Sequence, residues 1–376
     1  MKPNKITFKY LIRQLHLILG LSSGLIVFIV AIAGSLYIFE EEGRDIFQHR
    51  FYHVENPGNA RLPFQHMMDT VKTHFPKEKI TSIRFKEAKD AAIIFYIKKD
   101  RAVSINPYTS KVIGVQNLKS DFFTVDLNLH THLLLGDTGA IIIKCNVLIF
   151  FIMCISGLIL WWPKQRRFFR QAATINFKTG NWKRLNWDLH RVLGFYALVV
   201  LLIISWTGIF FVYDSAKSMV AFITHSPLPK KEKKLKSKPV KNKHYTLDDA
   251  YGYMRSTYPG AEESFLTPAT DSAAAIRVLM RYPYTVMRRQ NSVYFNQYSG
   301  KILKAELDNN HTAYDAVAQS NYNLHTGRFR VIGIGSKIIW FICGLTAASL
   351  PVTGFMIWLG RRKKYKPQLK QQAILS

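Results

Sequence analysis

Trp187 to Asp214 reads W-D-L-H-R-V-L-G-F-Y-A-L-V-V-L-L-I-I-S-W-T-G-I-F-F-V-Y-D. From Val192 to Tyr213, 22 residues pass without a charged side chain. About 20 apolar residues cross a hydrocarbon core roughly 30 Å thick, so this stretch predicts a transmembrane helix. His190 and Arg191 stand at its leading edge, just after Lys183 and Arg184. A histidine facing the interior of a membrane bundle is costly, which makes it a functional candidate by default. The pattern recurs 174 positions earlier, where His16, Gly20 and Gly34 correspond to His190, Gly194 and Gly208. Both copies have His-to-Gly spacings of 4 and 18, so the chain reads as two copies of one unit.

Hydrophobic residues make up 48 % of the 376 and concentrate in four blocks, near 15–39, 140–162, 192–213 and 338–359. That distribution points to a membrane protein. The net charge of +28 is not spread over one folded face. It gathers at Lys2, Lys5, Lys9 and Arg13, in the 163–186 connection, and at Arg361 to Lys366. Short basic connections stay cytoplasmic, so both termini and that connection are expected inside, and the long loops 40–128 and 214–322 outside. Solvated flanks account for the charge, and nucleic acid is not an expected partner. The first apolar run is too long for a signal-peptide core and shares the histidine pattern of 187–214, so it reads as a retained helix. The three cysteines, Cys145, Cys154 and Cys343, fall in apolar blocks with no C-x-x-C-H. This excludes covalently attached c-type haem and leaves no disulfide framework outside the membrane.

Each long loop reads as a small α+β unit. In the first, a helix over Met67–His74 stops at Phe75-Pro76, and short strands are expected at Ile80–Phe85, Ala91–Lys98 and Ala102–Asn106. In the second, a Lys- and Pro-rich linker over Lys230–Lys243 leads to a helix opening at Leu247, then strands at Ala274–Arg281 and Val293–Asn296. Asn128-Leu-His-Thr131 and Asn323-Leu-His-Thr326 then lead back to the membrane, toward spans ending Ser156-Gly157…Trp161 and Thr353-Gly354…Trp358. Because each copy contains two spans, the copies share one orientation, and the pseudo-twofold is expected along the membrane normal.

Four of the twelve histidines occupy repeat-equivalent places: His16 with His190, and His130 with His325. A twofold makes each pair two facing imidazoles, the arrangement for bis-histidine ligation of a b-type haem. Counted along straight helices, His130 lies ten residues before Ala140 and His325 thirteen before Ile338, which puts the outer pair near the water interface. The alternative there is a surface metal site using His130, His132 and His325, with His132 also the alternative outer ligand. His49, His53, His66, His74, His225, His244 and His311 read as solvated loop residues, some of them candidates for contact with an iron substrate. Trp161, Trp162, Trp206, Trp340 and Trp358 read as an interfacial belt. The chain has no nucleotide-binding glycine loop, no H-E-x-x-H and no G-x-S-x-G.

Leu15-His16-Leu-Ile-Leu-Gly20, Leu129-His-Thr-His-Leu-Leu-Leu-Gly136, Leu189-His190-Arg-Val-Leu-Gly194 and Asn323-Leu-His-Thr-Gly327 resemble the PepSY-associated transmembrane helix family, over about Leu11 to Arg362. The resemblance implies an α-helical integral membrane protein with four transmembrane helices and two periplasmic α+β PepSY-like domains, arisen by tandem duplication. On that plan, 1–40 holds the N-terminus and first span, 41–128 the first PepSY-like domain, 129–163 the second span and 164–186 a cytoplasmic loop. The third span is 187–213, the linker and second PepSY-like domain 214–322, the fourth span 323–360 and the cytoplasmic tail 361–376. It further implies a multi-pass protein of the bacterial inner membrane and a ferric-siderophore reductase carrying two haem b, held by His16, His190, His130 and His325. The chain shows no nicotinamide or flavin site, so a separate quinol or flavoprotein donor is expected. The rival readings are a siderophore permease and a PepSY regulatory or binding protein without redox activity.

Overall fold

The computed structural model describes residues 7–98, 100–229, 235–240 and 244–372, with side chains through residue 361. Lys2, Lys5, linker positions 230–234 and 241–243, and the basic side chains beyond Arg361 lie outside the described residues. In chain order the first elements are α1 (Phe8–Tyr37), α2 (Glu40–Phe47), α3 (His49–Tyr52), α4 (Phe64–His74), β1 (Ile80–Lys86), β2 (Ile93–Ile97), β3 (Arg101–Ile105) and β4 (Val112–Asn117). Next come α5 (Phe122–His132), α6 (Gly136–Trp161), α7 (Phe169–Ala172), α8 (Trp182–Val212), α9 (Asp214–Ile223) and α10 (Leu247–Thr257). The last are β5 (Glu263–Thr267), β6 (Ala275–Tyr282), β7 (Arg289–Asn296), β8 (Ile302–Glu306), α11 (Ala313–Thr326) and α12 (Ile334–Gln372). They form two compact units, a helical one and a sheet one.

In the helical unit, Phe8–Tyr37, Gly136–Trp161, Trp182–Val212 and Ile334–Arg361 are long and apolar enough to cross a membrane. α1 and α8 each pack against both α6 and α12, so the two helices whose sequences match stand across the bundle from one another. Gly20 faces Met153 and Gly24 faces Pro351 at the α1 seams, where small residues let helices approach closely. The third span opens five residues before its expected start, because the Asn181 side chain caps α8 by accepting from the Lys183 and Arg184 amides.

The second and fourth spans do not begin at 129 and 323. After α5 the chain breaks at Leu133 and Leu134, both with left-handed φ (51° and 59°), and α6 starts afresh at Gly136. The corner is so tight that a Cβ at Gly139 would collide with the His132 carbonyl. The matching corner after α11 turns at Gly327 (φ 67°), packed on the Trp340 ring, and the Trp340 indole donates to the Leu324 carbonyl at 2.9 Å. Trp340 and Trp161 are buried against neighbouring side chains. Trp161 stacks on Phe195 at 3.6 Å and donates to the Ala172 carbonyl, tying α6 to α7 and α8. Asp188, fully buried, bonds Arg184 and Arg191 near the start of α8.

The sheet unit corrects the expectation of two separate α+β domains. Its eight strands form one antiparallel sheet in the order β4-β3-β2-β1-β5-β6-β7-β8. β1 and β5 join the halves, pairing Ile83 with Leu266, Arg84 with Phe265 and Phe85 with Ser264. Either half alone would leave an edge strand with unpaired amides and carbonyls; joining them removes both edges. Arg84 spans the join to Glu263 at 2.6 Å. α4 and α10 cover one face, burying Met67, Val71, Ala250 and Met254 on Ile83, Phe95, Val278 and Phe295 in a single core. The halves also share a cap, because the Asp248 carboxylate accepts from the Phe64 and Gln65 amides at 2.7 and 3.1 Å, at the start of α4. β4, β5 and β8 were not expected from the sequence. β4 carries Gly114, β8 is a half-exposed edge, and β5 is only five residues long.

Candidate functional site: four oriented imidazoles

His16 projects from α1 to α6, where its Nδ1 lies 2.8 Å from the Ser156 hydroxyl. His190 projects from α8 to α12, with Nδ1 2.9 Å from the Thr353 hydroxyl. Both hydroxyls already donate to backbone carbonyls one turn back, Ser156 to Met153 and Thr353 to Ser349. A hydroxyl engaged in this way is placed to accept from Nδ1, and with the proton there Nε2 keeps its lone pair. The environments of the two histidines match further: a Cβ at Gly157 would sit 3.5 Å from the His16 Cε1, and one at Gly354 3.3 Å from the His190 Cε1. The Asn186 amide adds a bond to the Thr353 carbonyl at 3.0 Å.

His130 and His325 both reach main-chain carbonyls, and His325 reaches a hydroxyl as well. The His130 Nδ1 donates to the Val30 carbonyl at 2.9 Å, and the His325 Nδ1 lies 3.1 Å from the Ile204 carbonyl and 2.9 Å from the Thr207 hydroxyl. Val30 and Ile204 are again 174 positions apart. A carbonyl only accepts, so here too Nδ1 carries the proton and Nε2 is left to bind. The rings approach Gly34 and Gly208: a Cβ at Gly34 would stand 2.6 Å from the His130 Cε1, and one at Gly208 3.6 Å from the His325 Cε1. The ring centroids are 6.1 Å apart. Two imidazoles on one metal, at about 2.0 Å per bond and roughly 1.1 Å from nitrogen to centroid, would be about 6 Å apart.

The straight-helix path counted for this outer pair does not hold. The breaks after α5 and α11 bring both rings beside α1 and α8, at carbonyls seven and eight residues before Tyr37 and Val212. That is about 10–12 Å in from those helix ends. His132, the alternative ligand, instead bonds the neighbouring Thr131 hydroxyl at 2.7 Å. Sequence reading missed Ser156, Thr353 and Thr207 as orienting residues. The Ser-Gly and Thr-Gly pairs were visible as matching span ends; their offset of 197, set beside the histidines, was the available signal. An imidazole whose second nitrogen is fixed by a hydrogen bond is the form in which histidine binds a metal.

Four apolar spanning helices and a joined α+β sheet unit define a multi-pass membrane protein. The PepSY-associated TM region family matches residues 13–361, nearly the whole chain, and the chain belongs to that family. Among curated proteins no sequence matches it.

Proposed function

We propose that the protein is a di-haem b oxidoreductase of the bacterial inner membrane, passing electrons from a cytoplasmic or quinol donor to a periplasmic ferric-siderophore. The observation that carries this reading is that all four repeat-related imidazoles have Nδ1 within hydrogen-bond distance of an oxygen on another helix, which turns Nε2 away from that contact and toward a metal. His16 and His190 would hold one haem, His130 and His325 the other, and Gly34, Gly157, Gly208 and Gly354 keep the space beside the rings open. Haem b, when bound, supplies reversible one-electron chemistry at a potential set by its ligands and burial. The chain's own part is to fix the tautomer of each ligand, hold the rings at a set separation and exclude water from them. One electron converts a ferric ion to ferrous, which binds hard oxygen chelators less tightly and is released.

The matched contacts at a 174-residue offset support a tandem duplication with a pseudo-twofold along the membrane normal. The basic flanks of the spans support cytoplasmic termini and periplasmic loops. The absorption spectrum of the purified protein tests the reading. b-type Soret and α bands with two haems per chain are expected. A colourless protein with all four spans folded would overturn it in favour of a regulatory or permease role.

A further inference from the structure

A second group of imidazoles belongs to the sheet unit. Asp45 on α2, His49 on α3 and His53 just after it recur every fourth residue, and each offers a ligand atom within 4.8 Å of the other two. The His49 and His53 rings stack with centroids 4.3 Å apart and planes 13° from parallel. The His53 Nε2 lies 2.6 Å from the Asp45 carboxylate, and its Nδ1 lies 2.9 Å from Asp90. The backbone fixes this arrangement. His53 bridges to Ala91, the Val54 amide donates to the Asp90 carbonyl at 2.8 Å, and the Ala92 amide donates to the Tyr52 carbonyl at 2.9 Å. α2 is held in turn by Arg44 and Gln48, which grip Asp121 at 2.7 and 2.8 Å.

We propose that Asp45, His49 and His53 form a binding site for one divalent first-row transition ion, with Asp90 orienting His53. Two imidazoles and one carboxylate suit such ions, and water fills the remaining positions. Asp90 accepting from Nδ1 is the carboxylate–histidine partner that turns Nε2 toward the metal. The ion takes the place of the proton between Nε2 and the Asp45 carboxylate. Donor atoms on one tetrahedral ion stand about 3.3 Å apart, and the exposed Asp45 and His49 side chains are free to close that gap. The donor set alone argues the site. That its natural ion is the released ferrous iron rests on the proposed reductase activity.

Zinc is the probe, so haem iron does not enter the count. The haem-loaded, detergent-solubilised full chain is dialysed against micromolar zinc and its zinc content measured. Relative to Asp45→Asn/His49→Ala, the native chain is expected to hold one more zinc per chain, and the double variant to bind at least 100-fold more weakly. Asp90→Asn, which removes no ligand, is expected to weaken binding about tenfold. Equal zinc in the native protein and the double variant would overturn the proposal. A protein that binds zinc here but reduces no ferric chelate supports the site and refutes the reductase reading alone.

Discussion

Replacing Gly34 with alanine should release the outer ligand His130 while leaving the fold standing. The new Cβ would stand 2.6 Å from the His130 Cε1 and 2.8 Å from its Nδ1, roughly 1 Å inside an ordinary carbon contact. Relief requires the ring to move by about that much, and Nδ1 is the atom that bonds the Val30 carbonyl at 2.9 Å. Overpacking costs about 1–3 kcal/mol, and a buried donor left without its acceptor adds about 1–3 kcal/mol. If about 2–4 kcal/mol of this falls on the bound state, affinity for the outer haem drops by roughly 30- to 700-fold. Haem per chain, by the pyridine haemochrome assay, should fall from two toward one. Gly208→Ala is the control for packing, because its Cβ would press on Val147 at 2.9 Å but stay 3.6 Å from the His325 ring. Gly157→Ala, at an ordinary 3.5 Å from His16, should be neutral. Full haem content in Gly34→Ala together with loss in Gly157→Ala would refute the reasoning.

His16→Ala and His190→Ala should each remove the same haem, with no further loss in the double variant; additive losses by haemochrome count would sink the pairing. A cysteine placed at 235–240 should react with a membrane-impermeant thiol reagent in intact cells, and one at Thr179 only after lysis; the reverse pattern would invert the proposed electron direction. Burial alone would lift the Asp121 carboxyl, but bonds from Arg44, Gln48 and Thr124 hold it below its ordinary value. A depressed carboxyl stabilises above its unfolded pKa and loses that contribution as pH falls through its folded one. Amide protection across α2 and α3 should therefore drop below about pH 4. Asp121→Asn should lower protection by about 2–4 kcal/mol at neutral pH and flatten the pH dependence; an unchanged profile would refute the clamp.

Strong, local signals were legible in the sequence. A charge-free run such as Val192 to Tyr213 has one reading at that length, and His16 and His190 sit at matched places beside it. The pairing of β1 with β5 was not legible, because Ile83 and Leu266 meet across 183 residues and no local pattern records an edge contact. Nor was the placement of His130. Its position beside α1 depends on two left-handed leucines, Leu133 and Leu134, and residues other than glycine rarely announce that conformation. Ser156 and Thr353 were hidden for another reason. A hydroxyl in a spanning helix usually bonds its own backbone, and these do so while also lying within hydrogen-bond distance of an imidazole on a neighbouring helix.

That last arrangement joins the site to the bundle. The α1 histidine is oriented by α6, the α8 histidine by α12, the α5 histidine by α1 and the α11 histidine by α8. An isolated helix therefore carries its imidazole without its orientation. The tautomer and ring position appear only when the neighbouring helix is in place. The orienting oxygens also differ between the pairs in a way that suits their origins. His16 and His190 lie within spanning helices and reach side-chain hydroxyls, which need only a residue choice at one position of the facing helix. His130 and His325 arrive at the ends of α5 and α11 and reach main-chain carbonyls of α1 and α8, which present no gap for a ring unless the helix is narrow there. Gly34 and Gly208, four residues past those carbonyls on the same face, supply that narrowing. The glycine that packs the ring and the carbonyl that fixes its proton are thus one feature, and a side chain at Gly34 disturbs both at once.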